Sequence, residues 1–100
     1  MKYSIEDLEK ISQEVRIDII KMILKAGAGH PAGSLGMADI FVAFYYAVLN
    51  HDPKNPNWEE RDRLILSNGH ICPALYAVMA HTGYFEHKEL LKFGEFGRIL

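Results

Sequence analysis

Arg63-Leu64-Ile65-Leu66 holds a short continuous apolar run, residues 64–66, followed closely by the turn-forming pair Asn68-Gly69. That is the pattern of a strand buried in a parallel sheet covered on both faces. No other stretch reads convincingly as a strand, and a lone buried strand leaves its amides and carbonyls unpaired. The partners of residues 64–66 are therefore expected outside this sequence or in another chain. This restricts the fold to an α/β type, with residues 1–100 an incomplete N-terminal piece, mostly helical with one short parallel-type strand. The last residues agree, because Gly97-Arg98-Ile99-Leu100 ends on an apolar pair with no helix-stop signal.

Helical periodicity accounts for most of the rest. Ser4 with Asp7 three residues on gives a helix start in which a hydroxyl accepts from an orphan amide and acids sit at the positive end. Leu8, Ile11, Val15, Ile19, Met22 and Ile23 then recur at helical spacing, which predicts a first helix over residues 5–25. Ile20 and Leu24 widen the stripe, so neighbours are expected on more than one side. Glycines 27, 29, 33 and 36, with Pro31 turning His30 away from helical geometry, predict a loop over residues 27–34. A second helix, over residues 35–49, has Asp39 as its only charge and reads as buried on most faces. Its uncharged run, residues 40–49, is about half the roughly 20 residues of a membrane-spanning helix and is taken as core. Residues 50–57 are a turn-rich connection with Trp58 as its anchor, and residues 71–80 form a third helix with Pro73 in its first turn.

Charge narrows the partners. Eleven basic and thirteen acidic residues give a net charge of -2, with no basic stripe of the kind that phosphate-backbone binding needs. Nucleic acid and membrane are thus not expected partners. The single Cys72 excludes an internal disulfide, and the charged start lacks a signal-peptide apolar region, so a cytoplasmic location is the default.

Two constellations carry chemistry. Ser67-Asn68-Gly69-His70 lies between the expected strand and a helix start, where free amides favour anionic groups such as phosphates, and His70 is placed to touch them. Asn68 and Gly69 also suit a turn with positive backbone dihedrals. The other is the loop Gly27-Ala28-Gly29-His30-Pro31-Ala32-Gly33-Ser34, whose glycines let backbone approach a ligand while His30 projects. It has neither the dinucleotide fingerprint nor the P-loop ending. His51 is assigned to a turn with Asp52 and His87 to a polar stretch. His81 is about 16 Å from His70 along a helix axis, too far to share a metal. Cys72 reads as a small buried thiol, with a nucleophile at a helix N-terminus as the alternative.

Taken in order, these blocks resemble a known family. Gly29-His30-Pro31, Gly36-Met37-Ala38-Asp39-Ile40, Leu49-Asn50-His51-Asp52-Pro53 with Trp58, Arg61-Asp62-Arg63, Leu66-Ser67-Asn68-Gly69-His70 and Thr82-Gly83-Tyr84 are similar to the opening of transketolase. The resemblance covers nearly the whole chain. Deoxyxylulose-phosphate synthases, a related alternative, usually carry Asp-Val-Gly-His where this chain has Ser67-Asn68-Gly69-His70. Ala32-Gly33-Ser34-Leu35 and Pro73-Ala74-Leu75-Tyr76-Ala77 look more like the N-terminal half of split, two-subunit transketolases than like single-chain ones.

The resemblance implies the diphosphate-binding domain of an enzyme of the pentose phosphate pathway that moves a two-carbon ketol unit from a ketose phosphate to an aldose phosphate. It implies thiamine diphosphate and a divalent metal, magnesium or calcium, as cofactors. His30 matches the histidine at the substrate's reacting hydroxyls, and His70 the one beside the cofactor's diphosphate and thiazolium. Both are the catalytic candidates; His70, Gly33 and Ser34 are the cofactor-binding candidates. The family's Gly-Asp-Gly metal motif does not occur in this sequence, so the metal is expected to be held elsewhere, and this piece alone is expected to be inactive. Implied partners are sugar phosphates and a C-terminal transketolase subunit or further domains, in a homodimer or heterotetramer. The non-enzymatic alternative is a subunit-interaction fragment, which the broad apolar stripes support equally.

Overall fold

The computed structural model describes residues 2–27 and 29–94. Helix α1 spans Ile5–Ala26 and starts as its sequence dictates. The Asp7 amide donates to Ser4 Oγ at 3.0 Å and the Ser4 amide to Asp7 Oδ2 at 3.1 Å, a closed capping box. It ends at Gly27, whose left-handed φ of 73° lets its amide reach back to the carbonyls of Ile23 and Leu24.

Helix α2 spans Pro31–Ala43 and runs on into a π-helical turn, Phe44–Val48. It begins four residues before the expected position 35. Pro31 explains the difference: at the first helical position its fixed φ suits the helix and its missing N–H is not needed. The predicted loop therefore shortens to the residues between α1 and Pro31, of which Ala28 lies outside the described residues, and Gly33 and Gly36 become helical. Helix α3 spans Cys72–Thr82 and is entered through a 3₁₀ turn, Gly69–Ile71. A second 3₁₀ turn, His87–Lys92, packs back on α1 and α3.

The three helices share one core. Val15, Ile19 and Met22 of α1 meet Ala38, Phe41 and Val42 of α2 and Ala74, Ala77 and Val78 of α3, with Leu90 closing one end. Only one face of α2 is buried, through Ser34, Ala38, Phe41 and Val42, while Ile40 is 46% exposed. The expectation of burial on most faces fails among the described residues, because only α1 and α3 are present to cover it. The 18-residue stretch Pro31–Val48 passes a membrane span's test of length and composition, but its buried face packs on α1 and α3 as a core helix does.

The expected strand is not seen; among the described residues there is no β-structure. The segment keeps an alternating burial, with Leu64 and Leu66 half-buried against the core and Ile65 89% exposed. Apolar pattern alone cannot make a strand when no neighbouring edge offers hydrogen bonds. Trp58 is 37% exposed and is not the anchor of its connection. That role falls to Asp62, whose amide donates to the Asn50 carbonyl and whose Oδ2 accepts from the Asn50 amide, each at 2.7 Å. The apolar pair Ile99-Leu100 lies outside the described residues.

Three histidines hold elements together. His51 stacks on Tyr84 with ring centroids 5.6 Å apart and bonds the Tyr45 carbonyl, rather than forming a turn with Asp52. His81 Nε2 lies 2.8 Å from Glu14 Oε2 of α1 and its Nδ1 2.8 Å from the Tyr46 hydroxyl, tying α3 to α1 and to the π turn. Burial, with Tyr3 and Glu14 nearby, pushes Tyr46 up to about 12, so it stays a hydroxyl. His87, expected in a merely polar stretch, pairs at 2.9 Å with the buried Asp18 carboxylate.

Ile19 is fully buried at the meeting of the helices. Ile19→Ala should lower the unfolding free energy by about 2–5 kcal/mol, several times the about 1 kcal/mol expected for Ser4→Ala at the α1 cap. Urea unfolding monitored by circular dichroism measures both; equal losses would show that the core is not organised around Ile19.

Candidate functional site

Helix starts bring the two sequence-singled histidines together. His30 is the residue before the first turn of α2, with extended backbone (φ −116°, ψ 103°) and no side-chain capping bond. Gly29 precedes it at φ 137°, a left-handed value that only glycine adopts readily; a Cβ there would also meet the Ile23 side chain at 3.2 Å. That residue reverses the chain between α1 and α2 and sets where His30 begins.

His70 is placed by a different device. Asn68 Oδ1 accepts from the His70 amide at 3.1 Å, and the Ile71 amide donates to the Asn68 carbonyl at 3.3 Å, closing the 3₁₀ turn. The expected positive dihedrals are not used here: Asn68 has φ −91°, and Gly69 is not among the positive-φ glycines. Asn68 works as a cap, and its position two residues before His70 is the signal that would have identified it. The result is a pair of exposed imidazoles edge to face, their centroids 5.5 Å apart and their planes at 81°.

Gly33 and Ser34, the third and fourth residues of α2, differ in role. Gly33 lies against Ile71, the residue after His70; a Cβ at position 33 would sit 2.8 Å from Ile71 Cγ2. Ile71 carried no sequence signal, being one apolar residue among many. Ser34 is fully buried on the core-facing side of α2, and its hydroxyl has no hydrogen-bond partner among the described residues.

Two cavities lie elsewhere. One of ≈ 400 Å³ is lined by Tyr3, Tyr45, Tyr46, His51 and His81 among others, and one of ≈ 260 Å³ lies beside Arg61, Arg63 and Tyr84. Neither is lined by His30 or His70, both of which are exposed. Among the described residues no group of three or more His, Cys, Asp or Glu side chains is arranged to hold a metal ion.

Cys72 opens α3 half-buried. Burial pushes its thiol up, only partly opposed by hydrogen bonds from Tyr76 and its own backbone. A raised thiol is the reverse of what a nucleophile at neutral pH needs, and the small-thiol reading stands. Alkylation proceeds through the thiolate, so iodoacetamide should modify Cys72 slowly at neutral pH, with the rate rising at higher pH than for an unperturbed cysteine. Mass spectrometry across a pH series measures this; fast labelling at pH 7 would contradict it.

The comparisons agree with the motif order. A family model described as "Transketolase, thiamine diphosphate binding domain" matches residues 8–98. A 6-deoxy-6-sulfo-D-fructose transketolase subunit from Clostridium sp. (strain MSTE9) is 46% identical over 79 residues, 79% of this chain and 29% of that protein. The transketolase of Buchnera aphidicola subsp. Acyrthosiphon pisum is 42% identical over 86 residues, 85% of this chain and 13% of its own. Transketolase 1 of Escherichia coli (strain K12) is 38% identical over 84 residues, 84% of this chain and 13% of its own. The chain thus spans less than a third of the length of each.

Proposed function

This chain belongs to the transketolase thiamine diphosphate binding domain family, and from that premise we propose that, within its whole protein, it supplies one wall of the cofactor and substrate site of a ketol-transferring enzyme. The observation that carries the reading is the His30–His70 pair, two imidazoles 5.5 Å apart at the starts of two helices. They stand forty positions apart in the sequence, and the folding of α2 onto the 3₁₀ turn is what joins them.

The residues present fit an anionic, ring-bearing cofactor. His70 sits at the head of α3, where the helix start favours negative charge and an imidazole N–H can donate to a diphosphate oxygen. Both rings are exposed and make no hydrogen bond to other described side chains through their imidazoles. Thiamine diphosphate, when bound, supplies the electron sink for carbon–carbon cleavage. His70 holds and orients the diphosphate end. His30, with the adjacent free imidazole, takes and returns the proton of a substrate hydroxyl as charge develops on its oxygen. The divalent metal is assigned to residues elsewhere in the whole protein.

The same reading brings ketose and aldose phosphates as substrates, a cytoplasmic setting, and assembly as a homodimer or heterotetramer. One 46%-identical relative is named as a subunit, and the block Ala32-Gly33-Ser34-Leu35 points the same way. Both favour a two-subunit organisation over a single long chain. Exposed Ile17, Leu24 and Ile40 are then surfaces that the remainder of the protein covers.

His70→Ala in the whole enzyme should weaken thiamine diphosphate binding by about tenfold or more, the scale of one lost charge-assisted hydrogen bond. His30→Ala should mainly lower kcat, by about 10²–10⁴-fold. Calorimetric titration of the cofactor and steady-state ketol-transfer kinetics measure the two. Wild-type behaviour in both variants would remove these histidines from the site and leave the chain as a subunit-interaction element.

A further inference from the structure

We infer that Gly33 is a positioning residue whose missing side chain, through Ile71, sets the separation of His30 and His70. This rests on the thiamine diphosphate reading for its effect on function but not for its geometry. Two contacts join the same two elements. The first is the imidazole pair, between the residue that opens α2 and the middle of the 3₁₀ turn. The second is Gly33 against Ile71, one helical turn further along α2 and one residue further along the turn. A change at the second contact is therefore transmitted directly to the first.

The contact has no slack. A Cβ on residue 33 would stand 2.8 Å from Ile71 Cγ2, a distance at which something must shift. The atom it meets is not the loose end of a long chain. Cγ2 is bonded to Cβ, so it moves only with χ1, the torsion that β-branching restricts most. Turning χ1 is further opposed by Ile71 itself, which packs against the core. The remaining ways to make room are to lift the first turn of α2, carrying His30, or to displace the 3₁₀ turn, carrying His70. Both open the imidazole pair.

Helix propensity acts in the opposite sense. Gly33 lies in the first turn of α2, where alanine is the better helix former. By propensity alone, Gly33→Ala should hold or raise thermal stability. The strain of the added methyl opposes that gain, so the partner residue and the ring separation, not the melting temperature, separate positioning from a general loss of structure. The alternative, that glycine is needed for the backbone to touch a ligand directly, is separated by the partner residue. Ile71→Ala deletes Cγ2 and relieves the contact, whereas Ile71→Val retains a methyl there and does not.

The test uses the whole protein, apo and with thiamine diphosphate. Gly33→Ala should lower kcat/KM by about 10–100-fold, the scale of a misplacement of order 1 Å. Adding Ile71→Ala should recover most of the loss, and adding Ile71→Val should not. In crystal structures of the apo variants, the His30–His70 centroid separation should increase in Gly33→Ala and return in the double variant with Ile71→Ala. Near-wild-type activity of Gly33→Ala, a loss that Ile71→Ala fails to relieve, or an unchanged ring separation would each overturn the inference. If the wild-type protein binds no thiamine diphosphate, the functional reading fails while the crystallographic separations still decide the positioning role.

Discussion

Small side chains at the crossing of the three helices set every distance that matters. Ala38 of α2 and Ala74 and Ala77 of α3 are fully buried, and helix axes can approach only as closely as the side chains between them allow. Alanine at these positions brings the start of α2 against the 3₁₀ turn that leads into α3. Bulkier Val15, Ile19 and Met22 of α1 fill the space on the other side. A core of this kind is close-packed, so an added methyl displaces helices rather than compressing them. The imidazole pair depends on that rigidity, because among the described residues neither ring is held by a side-chain hydrogen bond of its own.

Much of the scaffold was legible because local chemistry decided it. Ser4, Asp7 and Gly27 act within a few residues of themselves, and the structure uses them as the sequence predicts. The start of α2 was misplaced because the density of glycines outweighed Pro31, although proline at a first helical position is a start signal in its own right. The strand was lost for another reason. Leu64-Ile65-Leu66 has the pattern of a strand, but pairing is a property of neighbours, and no described segment supplies an edge.

The candidate site divides in the same manner. His30 and His70 were singled out by their turn settings and by family resemblance, and it is the fold that brings them within 5.5 Å. Ile71 was invisible because its role is purely steric and depends on the residue opposite it. Ser34, a cofactor-binding candidate by resemblance, stands at the core face of α2 at 0% exposure. In a helix, position in the repeat outranks chemical type in deciding what a side chain meets. The histidines His51, His81 and His87 sit between helices and turns as hydrogen-bonding bridges. Sequence could assign them a bland role but not their partners, which lie 33, 67 and, for Asp18, still more residues away.

Exposure of the imidazole pair bears on how such a site works. In contact with water, a unit charge 5.5 Å away exerts an influence of less than about 1 kcal/mol, and the two rings by themselves would steer little chemistry. The same separation in a medium of lower effective dielectric strengthens that influence about fourfold. A half-open wall of this kind therefore gains its electrostatic force from whatever covers it. The unpaired segment at residues 63–66 and the exposed apolar positions along α1 and α2 are consistent with such a cover. The chain fixes where the two imidazoles stand, through α2, the Asn68 cap and the Gly33–Ile71 contact. Under the proposed function, exclusion of water would fall to surfaces that close over the pair.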